Sequence, residues 1–235
     1  MAAVGIIYMS VSLTDSIKAC YKNAQRILCD VKKLEETGTA PTRYYLSIIA
    51  QEECAKAFLL HLVDRNIISW NPEVHAASRD HIWKQLLCEI IRYINPNDSD
   101  LLERLKIKMC GENGFETPDK ILDVVRLFKN GRFKDRRKTL KDIVLEESVD
   151  SIARGARDGE KQSGLYVNLT DRGLIATIPD IKITAELAEF EYKIAWGFIF
   201  FLSEIISTGK SANYFYGKIV EELKGALLTG EGGRS

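Results

Sequence analysis

The chain has 235 residues, enough for one large domain or two small ones, and 46% of them are apolar, enough to build a core. Lys plus Arg and Asp plus Glu both number 33, so a net charge of zero excludes any whole-molecule electrostatic argument for nucleic acid or membrane. The five cysteines (Cys20, Cys29, Cys54, Cys88, Cys110) form no C-x-x-C pair and are odd in number, which argues against a zinc ribbon or disulfide framework and for reduced thiols in a cytoplasmic protein.

The N-terminal stretch MAAVGIIYMSVSLTDS lacks the basic start of a secretory signal and passes into an amphipathic pattern. From Ser12 to about Glu36, Leu13, Ile17, Cys20, Ala24, Ile27, Leu28, Val31 and Leu34 recur at helical spacing, and Thr37-Gly38 closes the run. Pro41 opens a second helix reaching about Asn66, and the short link makes the two antiparallel neighbours. Its segment LSIIAQEECAKAFLLHLV is apolar on nearly every side, yet holds Glu52, Glu53 and Lys56. At about 100° per residue, Glu53 falls within the stripe of Leu46, Ile49, Ala50, Ala57 and Leu60 and is expected to face the core, with Glu52 turned outward, solvated or bonded to a neighbouring helix. A buried carboxylate must be neutralised by protonation or paired with a cation, for which Lys56 at i+3 is the nearest in sequence. A structural ion pair and a functional acid in a cleft both fit.

A third helix runs from about Pro72 or Ser78 to Ile94 and is stopped by Asn95-Pro96-Asn97. Its Trp83, Leu86, Leu87, Ile90 and Ile94 form an apolar face, and His81, Lys84 and Cys88 another. A His near a Lys suits phosphate, the imidazole moving protons and the ammonium neutralising phosphoryl oxygens; an exposed helix surface explains the same letters. His61 reads as a satisfied core histidine and His75 as a loop or first-turn residue.

The middle predicts a short helix over about 101–109, a turn at Gly111 to Gly114 and a helix from Pro118 to about Lys129. Arg126 to Lys141 then carries eight basic residues against the single acidic Asp135, either a solvated loop or a surface for an anionic partner such as RNA. A helix over about Leu140 to Asp158 presents Arg154 and Arg157 near its end, with Gly159 and Gly164 releasing the chain. Alternation through Leu165, Val167 and Leu169, a turn at Asp171-Arg172-Gly173 and the run Leu174, Ile175, Ile178 predict a β-hairpin. Arg157 and Tyr166 meet at the junction of helix end and strand, which either lines a cleft or is plain surface. Two helices follow, Thr184 to Ser207 and about Asn213 to Leu228, before a flexible Gly-rich tail over 229–235. The run from Ile194 to Ile206 is broken by Glu204 and shorter than the roughly 20 residues that span a bilayer, so it reads as a core helix and no membrane contact is expected.

These elements make one all-α domain over 1–235, a bundle of about seven or eight helices with a small β-hairpin near 165–178. Glu pairs on several helices invite comparison with di-metal carboxylate bundles, but the Glu-x-x-His which that chemistry wants is missing, and so are a P-loop, a dinucleotide-binding glycine pattern and a G-x-S-x-G elbow. No metal and no cofactor is expected.

EECAKAFLL on the second helix, RDHIWKQ on the third and RDGEKQSGLYVN near residue 160, in that order and spacing, resemble the AbiV family of bacterial abortive-infection proteins over about Ser12 to Phe201. That family sits in the HEPN class of helical domains, many of which dimerise and act as metal-independent ribonucleases or as antitoxin-neutralised toxins. The resemblance implies an HEPN-like fold, a homodimer and phage defence by shutdown of the infected cell at the level of RNA or translation. It marks Glu53, Lys56, His81, Lys84, Arg157 and Tyr166 as the motif positions. The chain departs from the HEPN ribonuclease pattern of an Arg followed by four to six residues and a His, since His61, His75 and His81 all lack an Arg at that distance upstream. An enzyme would then use His81 as general base toward a ribose 2′-hydroxyl, Lys56 and Arg157 as charge stabilisers, Glu53 to orient a cation and Tyr166 as a phosphate donor. The rivals are a non-catalytic helical sensor that binds a phage or host protein, and a scaffold whose motif residues hold the bundle together.

Overall fold

The computed structural model describes residues 12–95 and 147–208, together with 216, 217, 220 and 221. The expected elements over 101–129, the basic segment Arg126–Lys141, the tail 229–235 and most of the last helix lie outside the described residues.

α1 (Leu13–Thr37) and α2 (Ala40–Asp64) are joined only by Gly38 and Thr39. Ser12 caps α1, its Oγ accepting from the Asp15 N–H at 3.0 Å. Thr14 reaches Asp64 at 3.4 Å and Asn23 reaches Glu53 at 3.1 Å, so residue numbers rise on one helix as they fall on the other and the pair is antiparallel. Ile17, Ala24, Leu28 and Val31 of α1 close over the apolar side of α2.

The third helix of the sequence pattern is two helices, α3 (Pro72–Arg79) and α4 (His81–Ile94). Asp80 separates them, ending α3 in extended conformation and capping α4 with Oδ1, which accepts from the N–H groups of Ile82 at 2.9 Å and Trp83 at 3.3 Å. Apolar spacing continues across a cap of this kind, so periodicity alone runs the two together. The same happens downstream, where α5 (Glu147–Ala153) and α6 (Ala156–Ser163) are split by Gly155 at φ +87°, the left-handed region that glycine enters without a Cβ clash. Gly159, expected to release the chain, lies inside α6.

The hairpin is present and small. β1 (Asn168–Leu169) pairs antiparallel with β2 (Ile175–Thr177), Asn168 opposite Thr177 and Leu169 opposite Ile175, with Gly173 at φ +73° in the turn. α7 (Pro179–Lys182) leads into α8 (Ala185–Thr208), which packs along α2. Arg43 bonds Glu189 near one end and Phe58 meets Phe201 further on, so α8 runs parallel to α2.

The eight helices described here and the single hairpin make an all-α bundle with α2 at its centre, as expected. Phe58, Leu28, Ile90, Ile94, Phe198 and Phe201 fill the core. Among the described residues no helix is long and apolar enough to cross a membrane, and the Ile194–Ile206 run is a core helix of the bundle. His61 is buried and its Nε2 lies 2.9 Å from the Tyr216 hydroxyl, the satisfied core histidine that its position predicts.

Candidate functional site

α2 turns consecutive side chains about 100° apart, and with helices on most sides each of three neighbours meets a different partner. Gln51 and Glu52 face α4, α6 and α8, whereas Glu53 faces α1. Glu52 is bonded to neighbouring helices, one of its two expected states, and Glu53 pairs with Lys56 as expected; what is corrected is which of the two is buried more deeply. Glu52, 1% exposed, is the sealed carboxylate. Glu53 is half-buried, accepting from Asn23 at 3.1 Å and from Lys56 at 2.6 Å. Stripe geometry misplaces them because a helix buried on nearly all sides has no single core direction.

Glu52 anchors a cluster drawn from three helices. Its Oε2 lies 2.5 Å from His81 Nδ1 and 3.2 Å from Lys84 Nζ. Its Oε1 accepts from Gln85 Nε2 at 3.1 Å and from Lys161 Nζ at 3.0 Å. Burial pushes the Glu52 carboxyl up, but Lys84, Lys161 and His81 outweigh it and hold the group below the usual carboxylate range. An ionised Oε2 at this distance requires the proton on Nδ1, since two facing lone pairs would repel; the ring therefore donates from Nδ1. His81 is half exposed, at 49% for the side chain, and Nε2 has no bonded partner among the described residues. The dyad thus turns Nε2 away from the buried carboxylate, with the ring's orientation set by the Nδ1 bond to Glu52.

A second network abuts the first through Gln51. Arg157 on α6 donates to Glu89 at 3.1 Å, to Gln51 Oε1 at 3.2 Å and to Glu191 at 3.2 Å, while Gln51 Nε2 donates to Glu191 at 2.7 Å. Burial pulls the guanidinium down, but Glu191 and Glu89 outweigh it and drive its pKa upward. Cys88, buried on the face that also holds His81 and Lys84, contacts the Gln51 carbonyl, and burial pushes its thiol up, so it is an unreactive thiol at neutral pH. Arg157 lines a cleft of ≈ 480 Å³ with Tyr44, Glu89, Arg92 and Glu191.

The six motif residues do not share one pocket. His81 and Lys84 join at Glu52, Glu53 and Lys56 pair beside α1, and Arg157 lines the separate cleft. Tyr166 is 62% exposed just past α6. Residues outside the six motif positions complete the networks: Glu52, then Gln51, Gln85, Glu89 and Glu191, and above all Asp158 and Lys161. A signal for Lys161 exists. α6 reads ARDGEKQS, without a large apolar side chain, yet it docks on the core with Arg157 and Lys161 one turn apart on the inward face.

Glu52, His81 and Asp158 bring ligand-type atoms within 4.8 Å of one another, a spacing suited to a metal ion. Lys161 Nζ lies 3.0 Å from Glu52 Oε1, 3.1 Å from His81 Nδ1 and 2.7 Å from Asp158 Oδ1. An ammonium stands among the three, and its charge opposes a second cation there.

The family model for AbiV, of the HEPN class, matches residues 12–198. No curated protein and no solved structure matches the chain.

Proposed function

The chain belongs to the AbiV family of HEPN domains, and we propose that it is an antiphage abortive-infection effector that acts on RNA as a metal-independent ribonuclease. The observation carrying this reading is the Glu52–His81 pair, a buried carboxylate holding a half-exposed imidazole whose Nε2 meets no partner among the described residues.

In this role Nε2 of His81 takes the proton of a ribose 2′-hydroxyl, and the oxygen attacks the adjacent phosphorus. The bond to the 5′-oxygen breaks, leaving a 2′,3′-cyclic phosphate and a 5′-hydroxyl whose proton comes from water or from the His81 imidazolium. Glu52, in the orienting role expected of Glu53, steadies the positive charge that the ring acquires. Lys84 and Lys161, buried against Glu52, keep that carboxylate ionised and fixed. Arg157 holds α6 in place through Glu89 and Glu191, and the exposed Tyr166 phenol is the phosphate-facing donor left from the motif. Lys56, committed to Glu53 on the α1 side, takes no part in the transfer. RNA contact through Arg126–Lys141 and a homodimeric cleft belong to the same reading.

Purified protein, alone and from phage-infected cells, is incubated with total RNA. Cleavage by wild type with loss in His81→Ala supports the enzyme; equal cleavage by both removes it. The rival reading, a sensor that binds a phage or host protein, is favoured by exposed apolar groups at Phe190, Phe200, Ile175 and Ile181. It predicts that capture of a phage protein from infected cells survives His81→Ala and is lost in Phe200→Asp.

A further inference from the structure

The ammonium of Lys161 is held unlike that of an ordinary buried lysine. Lys161 is 3% exposed, and Nζ sits among one oxygen of Glu52, one of Asp158 and the Nδ1 edge of the His81 ring. Asp158 Oδ1 is sealed from solvent and accepts no well-formed hydrogen bond, so its 2.7 Å approach to Nζ is a charge contact with lone-pair capacity left over. Two carboxylate oxygens and an imidazole nitrogen at mutual distances under 4.8 Å become, once that nitrogen gives up its proton, the donor set that divalent transition metals take. The chain places its own cation there.

We propose that Lys161 is a positioning residue acting as a built-in substitute for a metal ion, its ammonium bridging Glu52 and Asp158 and so fixing the carboxylate that the Nδ1–H of His81 donates to, and that removing it lets a divalent cation displace that proton and take the same three groups as ligands. The proposal rests on the functional reading above only for the importance of His81; its geometry does not depend on RNA. α6 brings Lys161 to the cluster and carries Asp158 one turn earlier, so ammonium and counter-carboxylate arrive together. Lys84, 3.2 Å from the other oxygen of Glu52, touches Glu52 but neither of the other two, so it does not duplicate the role. A methionine at 161 fills the space without charge and leaves no room for an ion, whereas alanine opens the cage.

The test uses the full chain. Wild type, Lys161→Ala, Lys161→Met and the double variant Lys161→Ala/Asp158→Ala are titrated with Zn²⁺ and with Mn²⁺ by calorimetry, and their melting is followed with and without the metal. Lys161→Ala is expected to bind one ion per chain at least tenfold more tightly than wild type and to melt at a higher temperature with metal present. Lys161→Met and the double variant are expected to lose that binding. In ¹⁵N spectra the His81 Nδ1 resonance of Lys161→Ala is expected to move on metal addition while that of wild type stays. Equal binding by wild type and Lys161→Ala, or binding unchanged in the double variant, overturns the proposal. Should Lys161→Ala not fold even with metal, the intact protein decides: the Lys161 ammonium signal is expected to be protected from water exchange and to lose that protection in Asp158→Asn. A signal exchanging as fast as surface lysines overturns the assignment. RNA cleavage enters none of these readouts, so failure of the ribonuclease reading leaves them standing, and their failure leaves that reading untouched.

Discussion

Glu52→Gln and Glu53→Gln are adjacent substitutions of the same chemistry, and the structure assigns them very different costs. Glu52 is sealed and receives His81, Lys84, Gln85 and Lys161. An amide there turns N–H groups toward cations and leaves two buried lysines short of a counter-charge. Breaking a buried pair from one side costs about 3–5 kcal/mol. Glu53 loses one partly buried ion pair and one bond from Asn23, about 1 kcal/mol. For a domain of this size each kcal/mol moves the melting temperature by roughly 2–4 °C, so Glu52→Gln is expected to melt about 6–20 °C below wild type and Glu53→Gln within about 4 °C of it. Urea unfolding of both variants beside wild type, with m-values compared, gives the free energies directly. Equal losses, or a larger loss for Glu53→Gln, would refute the assignment of Glu52 as the buried hub. The pH dependence has a definite sign. Because the folded Glu52 pKa is depressed, its contribution is present above the unfolded carboxyl value and is lost as pH falls through the folded one.

His61 supplies a second pH effect. Burial pulls its imidazole to about 4 from the usual 6.5, so between those values the unfolded chain binds a proton the folded chain refuses, and stability falls by up to about 3 kcal/mol as pH drops from 7 to 4. His61→Asn should flatten that part of a stability profile measured by urea unfolding. Arg157→Lys keeps the charge but not the fork that reaches Glu89, Gln51 and Glu191 together, and should lower stability by about 2–4 kcal/mol in thermal melts. Gly155→Ala forces a Cβ into φ +87° between α5 and α6 and should cost about 1–2 kcal/mol, with faster amide exchange in α6 than in α2.

The bundle was legible because its long helices carry strong patterns. Leu13 to Leu34 repeats at helical spacing, Gly38 and Pro41 mark the first turn, and Asp171 to Gly173 marks the hairpin. The breaks at Asp80 and Gly155 were missed since each falls inside a continuing apolar rhythm, which reports the burial of faces and not the φ of one residue. The candidate site was half legible. His81, Lys84 and Arg157 do lie in buried polar networks, yet their partners sit about 30 to 110 positions away in sequence, and spacing along one helix carries no record of such pairs. Lys56, near in sequence, does pair with Glu53, but the deepest glutamate is Glu52, and its cations come from α4 and α6.

We propose that His81 removes a proton from a ribose 2′-hydroxyl while Glu52 holds the ring. The most direct measurement is single-turnover cleavage of an RNA oligonucleotide by protein taken from infected cells, beside the same oligonucleotide with a 2′-deoxy residue at the scission site. A 2′,3′-cyclic phosphate product is expected from the RNA, none from the deoxy substrate, and at least a hundredfold slower cleavage by His81→Gln. Cleavage of the deoxy substrate at the RNA rate, or an undiminished rate in His81→Gln, would contradict it.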